Sequence, residues 1–298
     1  MAISKKIILF AILLLGSVVF LSAQATLKVV TKKVEQTFAY KAGYDLNIEG
    51  EKAEISVQSW DEPRIRIELE LIAEHTDNAV AQADVEKVQY EMVRHKEKIY
   101  GRNYVDGDAK PASSLSARYT ITMPRDCPIY IKNHYGQVNV SDLANSLRFN
   151  GQFSPIGIEN VTGFVEVRTR FGDVNGQTLN GDLNVYSRRS DITLRDLKGQ
   201  LNLESQYGQI RLAQFAALTG LNIKAEKSDV FLDVPNFDLF AFLIESNNSK
   251  IQIPNEVDFK YIDNTEQFKK IEFKPNREYY ATVSIQITFG ELRVEGRD

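Results

Sequence analysis

The sequence predicts an all-β fold, a β-solenoid, on three observations. A segment of one design recurs seven times between Ile129 and Ile253, and its first five copies are spaced by 18 residues. Within each copy apolar and polar residues alternate, which is the period of extended backbone and not of a helix. Across the copies, apolar positions fall into columns. A fixed period with strand alternation marks a chain that coils and stacks on itself.

Each part of the chain can be placed on that plan. Lys5 and Lys6 precede an apolar run from Ile7 to Leu21, and Ser22, Ala23 and Ala25 follow, the pattern of a secretion signal. The run is 15 residues long, short of the roughly 20 that a membrane span needs. Cleavage after Ala23 or Ala25 is therefore expected, leaving no integral span. No cysteine lies nearby to carry lipid. Leu46, Ile48, Gly50, Ile55, Val57 and Trp60 match the offsets of six columns and predict a first coil.

An insert of about residues 71–118 follows. Arg64 to Ile72 alternates as a strand. Asp77 is placed to cap a short helix through about Val85. Val88, Tyr90 and Met92 fit a strand, with Ile99 to Val105 returning antiparallel to it. Val105 to Ser116, rich in Gly, Pro, Ser and Asp, reads as an exposed loop. Tyr119, Ile121 and Met123 re-enter the solenoid before Pro124.

The repeats themselves are regular. The first inward column runs Ile129, Leu147, Val165, Leu183, Leu201, Leu221 and Phe242, and the second runs Ile131, Phe149, Val167, Val185, Leu203, Ile223 and Ile244. A small column comes next: Asn133, Gly151, Thr169, Ser187, Ser205, Ala225 and Ser246. It suits a corner with little room. There Tyr135-Gly136, Phe171-Gly172 and Tyr207-Gly208 alternate with Phe153-Ser154, Arg189-Ser190, Lys227-Ser228 and Asn248-Ser249. Gly and Ser are expected to carry the tight or positive-φ backbone of that corner. A second strand supplies Val138, Ile156, Val174, Ile192, Ile210, Val230 and Ile251, and Leu143, Val161, Leu179, Leu197 and Phe215 close the coil. Seven coils at strand spacing make a rod on the order of 34 Å long.

A second insert, about residues 254–280, is expected to cover an open end of the stack, where unpaired edges invite polymerisation. Val283, Ile285, Ile287, Leu292 and Val294, with Phe289-Gly290 at the corner, then form a last coil that caps the stack. The chain reads as a signal peptide over residues 1–23 and one solenoid domain over 24–298.

Composition narrows the function. The net charge is -4, and removing the first 23 residues takes away two lysines. Mild acidity argues against nucleic acid or an anionic membrane as partner. The sole cysteine, Cys127, can form no intramolecular disulfide and is expected buried, as a small hydrophobe. His75, His95 and His134 are scattered, and HExxH, CxxC and phosphate-cradling patterns do not occur. Asp173, Asp191 and Asp229 share a column, but Gln137, Pro155, Gln209 and Lys250 interrupt it. Asp beside Gly or Ser is ordinary turn composition. No catalytic residue, metal ligand or cofactor site is therefore expected.

Two surface features remain. Tyr135, Phe153, Phe171 and Tyr207 share the corner column. Facing outward they would form a strip for sugar rings or a partner, and facing inward a structural ladder. Arg168, Arg170, Arg188, Arg189 and Arg195 form a basic stripe. Asp173, Asp182, Asp191 and Asp196 intersperse it, so a salt-bridged face is expected. Tyr135, Phe153, Phe171, Tyr207, Arg170 and Arg188 are the candidate contact residues.

The signal segment, the early strand pair, TITMP at 120–124 and coils of the type NHYGQVNV, RFGDVNG and AEKSDVFLDV resemble the bacterial putative-adhesin family. The resemblance covers most of the mature chain and is clearest from Tyr119 to Ile253. It implies a secreted or envelope-associated β-solenoid that is formally a domain of unknown function, and its motifs carry no site residue. The expected role is a non-enzymatic, exported protein of the periplasm or cell surface, acting in adhesion or envelope interaction with a glycan or envelope protein. The alternatives are a carbohydrate-binding or carbohydrate-active β-helix and a structural or sensory envelope protein.

Overall fold

The computed structural model describes residues 26–296; the predicted signal segment and predicted cleavage site lie outside the described residues. β8 (Ile129–His134) pairs in parallel with β10 (Leu147–Gln152), Ile131 opposite Phe149. β10 pairs likewise with β11 (Ile156–Arg170), Phe149 opposite Val167. β11, β12 (Val174–Arg188) and β13 (Ile192–Gln206) each run from the second strand of one coil into the first strand of the next. The register is 18 residues throughout, so like columns stack: Leu147, Val165, Leu183 and Leu201 are buried over one another, as are Val161, Leu179 and Leu197.

Each regular coil bends three times. The first bend has positive φ at Tyr135, Phe153, Phe171, Arg189, Tyr207 and Lys227, and the second at Asp142, Asn160, Thr178, Asp196 and Gln214. The third falls on Gly163, Gly181 and Gly199. At the first bend the left-handed residue is thus the bulky one, and of the Gly and Ser residues that the sequence suggested only Gly136 (φ +111°) shares that conformation. Those small residues serve the contact between coils. A Cβ on Gly172 would collide with the Ser154 carbonyl, and one on Gly208 with that of Ser190. On the opposite side Gly172 N–H donates to Ser190 Oγ (3.0 Å) and Gly208 N–H to Ser228 Oγ (3.2 Å). Glycine corners and serine corners therefore fit only in alternation.

The order of levels departs from chain order at both ends. β2 (Asp45–Glu51) lies between β8 and β6 (Lys98–Val105). β3 (Ala53–Trp60) lies between β9 (Val138–Ser141) and β7 (Ser114–Pro124). The coil made by β6 and β7 is thus outermost, although it comes later in the chain. At the other end β21 (Ala281–Thr288) is inserted between β15 (Ala217–Glu226) and β17 (Phe240–Asn247). β22 (Glu291–Gly296) sits between β16 (Asp229–Val234) and β18 (Lys250–Gln252). The last coil in sequence is an internal level, not the terminal cap that the sequence suggested. Its Ile287 is fully buried because coils lie on both sides.

Antiparallel strands close each end. β4 (Arg64–His75) pairs with β7 and carries β1 (Lys28–Ala39) outside it. β5 (Val88–His95) covers β6. At the far end β20 (Phe268–Phe273) pairs with β17 and carries β19 (Lys260–Asn264). Beneath them Phe237, Phe242, Phe259 and Phe273 pack with centroids 5.3–6.3 Å apart, an aromatic plug over the open core. Trp60 departs from its column. β3 runs on straight towards β4, and the indole is half-exposed, donating to Arg64 O (2.8 Å) with Arg64 and Arg66 over its ring.

The first insert folds around α1 (Asn78–Val85), capped by Asp77, whose carboxylate accepts from Ala79 N–H (2.8 Å). Asp84 is buried and anchors the following loop. It accepts from Ala112 N–H (2.9 Å) and Ser113 N–H (2.8 Å) and pairs with Lys87 (2.6 Å). The Lys87 bond and the one from the Ser113 backbone N–H hold its carboxyl far below the ordinary range. Asp84→Ala leaves both N–H groups unpaired and is expected to cost about 2–3 kcal/mol in urea unfolding. The stabilisation from Asp84 is complete above the unfolded carboxylate pKa, near pH 4, and is lost as pH falls toward the depressed folded value. Stability of the Ala variant should accordingly decline less steeply below pH 4 than that of the parent.

Candidate binding groove

The polar positions of the first strands form a groove of about 710 Å³ across successive coils. Its rows are set by strand register. Beside the groove runs one row of Glu166, Asn184, Asn202 and Asn222, with Asn202 Nδ2 donating to Asn184 Oδ1 and Asn222 Nδ2 to Asn202 Oδ1, both at 2.9 Å. A second reads Asn150, Arg168, Tyr186, Glu204 and Lys224. Arg168 is bound to Glu166 (2.7 Å) and lies 4.2 Å from the Tyr186 ring centroid. Lys224 pairs with Glu204 (3.6 Å). The third row runs His134, Gln152, Arg170, Arg188, Gln206 and Glu226.

Arg170 and Arg188 stand directly opposite each other on adjacent strands, and both are exposed. Among the described residues neither guanidinium has a hydrogen bond, an ion pair or a ring partner. The salt-bridged face expected from the interspersed aspartates is not formed. Two of those aspartates sit at the first bend, where the backbone claims them: Asp173 Oδ1 accepts Asp191 N–H and Asp191 Oδ1 accepts Gln209 N–H, both at 2.9 Å; Asp229, in the same column, accepts Glu291 N–H through Oδ1 at 2.8 Å. The aspartate column is thus a brace between coils. Arg195 lies on the second-strand face, bonded to Gln177.

The corner aromatics follow groove residues directly in sequence and line its rim. Tyr135, Phe153, Phe171 and Tyr207 are 36–51% exposed, so they face outward. Tyr135 stacks on Phe153 at 5.1 Å and Phe153 on Phe171 at 4.7 Å, within 3° of parallel. Arg189 continues the ladder between Phe171 (5.3 Å) and Tyr207 (5.8 Å), and Lys227 lies 5.1 Å from the Tyr207 ring. The ring faces are occupied by one another, so no sugar ring can slide between them. What the ladder offers is ring edges, which carry the positive end of the aromatic quadrupole.

Nucleophilic chemistry finds little support here. Cys127 is buried, and desolvation with nearby Asp126 pushes its thiol up to about 12, which keeps it protonated and unreactive. Among the described residues no three His, Cys, Asp or Glu side chains gather to hold a metal. No helix there is long and apolar enough to cross a membrane.

The family described as Toastrack DUF4097 matches residues 43–295. No curated protein matches the chain. Among solved structures, a "putative cell adhesion protein" from Clostridium sporogenes is similar at 12% identity and a TM-score of 0.23, over 89% of this chain and 100% of that one.

Proposed function

The chain belongs to the Toastrack DUF4097 family, a domain of unknown function, and from that premise we propose that it is an exported, non-enzymatic binding protein whose groove engages envelope or cell-surface material. The observation that carries this reading is the long open groove with two unpartnered arginines at its middle. Groups that would serve catalysis are committed elsewhere, the aspartate column to backbone N–H groups and Cys127 to the interior. An open trough spanning several coils suits an extended partner, whereas small-molecule sites are mostly enclosed. Export is supported by Lys5, Lys6 and the apolar run after them.

The test has two arms. An epitope-tagged chain followed by cell fractionation is expected outside the cytoplasm. The purified mature protein, applied to a glycan array and to envelope extract, is expected to retain material that competes away with excess protein. Cytoplasmic residence, or no retention on either, would overturn the reading.

A further inference from the structure

We propose that Arg170 and Arg188 form the anion-binding subsite for an acidic polysaccharide lying along the groove; the proposal rests on the binding role given above. Three considerations converge on it. Arg170 and Arg188 sit at the same register on neighbouring strands, whose backbones run about 4.8 Å apart in a parallel ladder. Like charges directly opposite each other destabilise a sheet, so this pair carries a cost that a bridging carboxylate or sulfate removes. The other groove cations are already neutralised, Arg168 by Glu166 and Lys224 by Glu204. Within the groove lining, the positive charge that lacks a counter-ion is thus confined to Arg170 and Arg188.

Shape and rim chemistry select the ligand class. The groove is open at the surface and continues across coils, which fits a polymer better than a free ion. The sugar repeat of an extended polysaccharide is close in length to the strand spacing, so successive units can meet successive coils. Edge-on aromatic rings along the rim favour an anion over the apolar face of a neutral sugar. Guanidinium binds carboxylate and sulfate alike through paired N–H donors. Glu226 lies further along the same row and Glu204 in the row beside it, and they confine the anionic group to the Arg170–Arg188 stretch at the middle of the groove.

The experiment measures binding of the full mature chain to polygalacturonate, dextran sulfate, neutral dextran and duplex DNA, at low and at physiological salt. Arg170→Gln/Arg188→Gln is compared with Arg195→Gln on the other face. Expected is binding of an acidic polysaccharide that falls tenfold or more in the double variant, is unchanged by Arg195→Gln, and weakens with salt. Preference between the two acidic polymers tells carboxylate from sulfate. The melting temperature of the double variant without ligand should be unchanged or higher, because a repulsion is relieved; a large fall would assign the pair a structural role and overturn the proposal. Equal binding of neutral and acidic polymers, insensitivity to the double substitution, or equal binding of DNA would each overturn the subsite. Binding of neutral glycans alone would leave the broader role intact, whereas binding of no envelope material or glycan would remove both.

Discussion

Truncation after Tyr280 is expected to unseat the whole C-terminal cap instead of trimming one coil from it. β21 and β22 form an internal level, with β15 and β16 on one side and β17 and β18 on the other. Val283, Ile285, Ile287, Leu292 and Val294 are all essentially buried. At about 2 kcal/mol for each large apolar side chain removed from the core, the loss is roughly 10 kcal/mol, comparable to the whole stability of an ordinary domain. The coil of β17 and β18 cannot simply drop onto β15 and β16. That would set the Ser249 corner against the Ser228 corner, where Gly290 now packs on Ser228 and donates its N–H to Ser249 Oγ (3.2 Å). Hydrogen exchange is the decisive measurement. Amides of Phe240–Asn247 and Phe268–Phe273 should lose protection in the truncated chain while those of β10 to β13 keep theirs. Retained protection in β17 would mean that the outer coil re-docks, and the inserted level would then be dispensable.

Gly181→Ala carries the largest expected effect of any single substitution. The residue has φ +132°, a conformation that side chains with a Cβ rarely adopt, and an added Cβ would strike the Gly163 carbonyl in the coil beside it. Neither atom can retreat, since both belong to backbone held in the ladder. Strain and overpacking together are expected to cost about 4 kcal/mol. Urea unfolding checks this against Gly107→Ala, where an added Cβ meets nothing within 4 Å and the change should be small. A cost below about 1 kcal/mol would show that the coils part locally without penalty, contrary to a tightly stacked third bend.

Much of this architecture was legible in the residues. The columns from Ile129 onward, the Asp77 cap, the strand of Arg64–Ile72 and the buried Cys127 all follow from periodicity and local chemistry. The order of levels did not, because each coil offers nearly the same apolar columns to its neighbours and any coil could in principle lie on any other. One signal did separate them. Taken in chain order, the corners after Gly208 read Ser228, Ser249, Gly290, and the alternation fails. Taken along the stack they read Ala53, Gly136, Ser154, Gly172, Ser190, Gly208, Ser228, Gly290, Ser249, and it holds throughout. Trp60 was misplaced for a related reason, since offset matching assumes a second bend that β3 does not make.

The groove was half legible. Arg170 and Arg188 stood out within a basic stripe, but their lack of partners could not be read from sequence neighbours. What decides pairing is the residue 18 positions away and whether it sits on a strand face or at a bend. The direction of the corner aromatics was also undetermined by alternation. A left-handed residue resets the parity of in and out, and Tyr135, Phe153, Phe171 and Tyr207 all occupy such a position.

The insertion of β21 and β22 between earlier segments also imposes a schedule on assembly. During synthesis, Phe240–Gln252 emerges before Ala281–Gly296, yet its final seat exists only once those later residues have docked. The middle of the rod can form as it is delivered, but its far end has to stand open until Gly296 arrives. Completion is therefore a single late event with long-range closure, the slow kind of contact for a chain to make. A release that comes too early would leave a sticky, half-built end exposed to other copies.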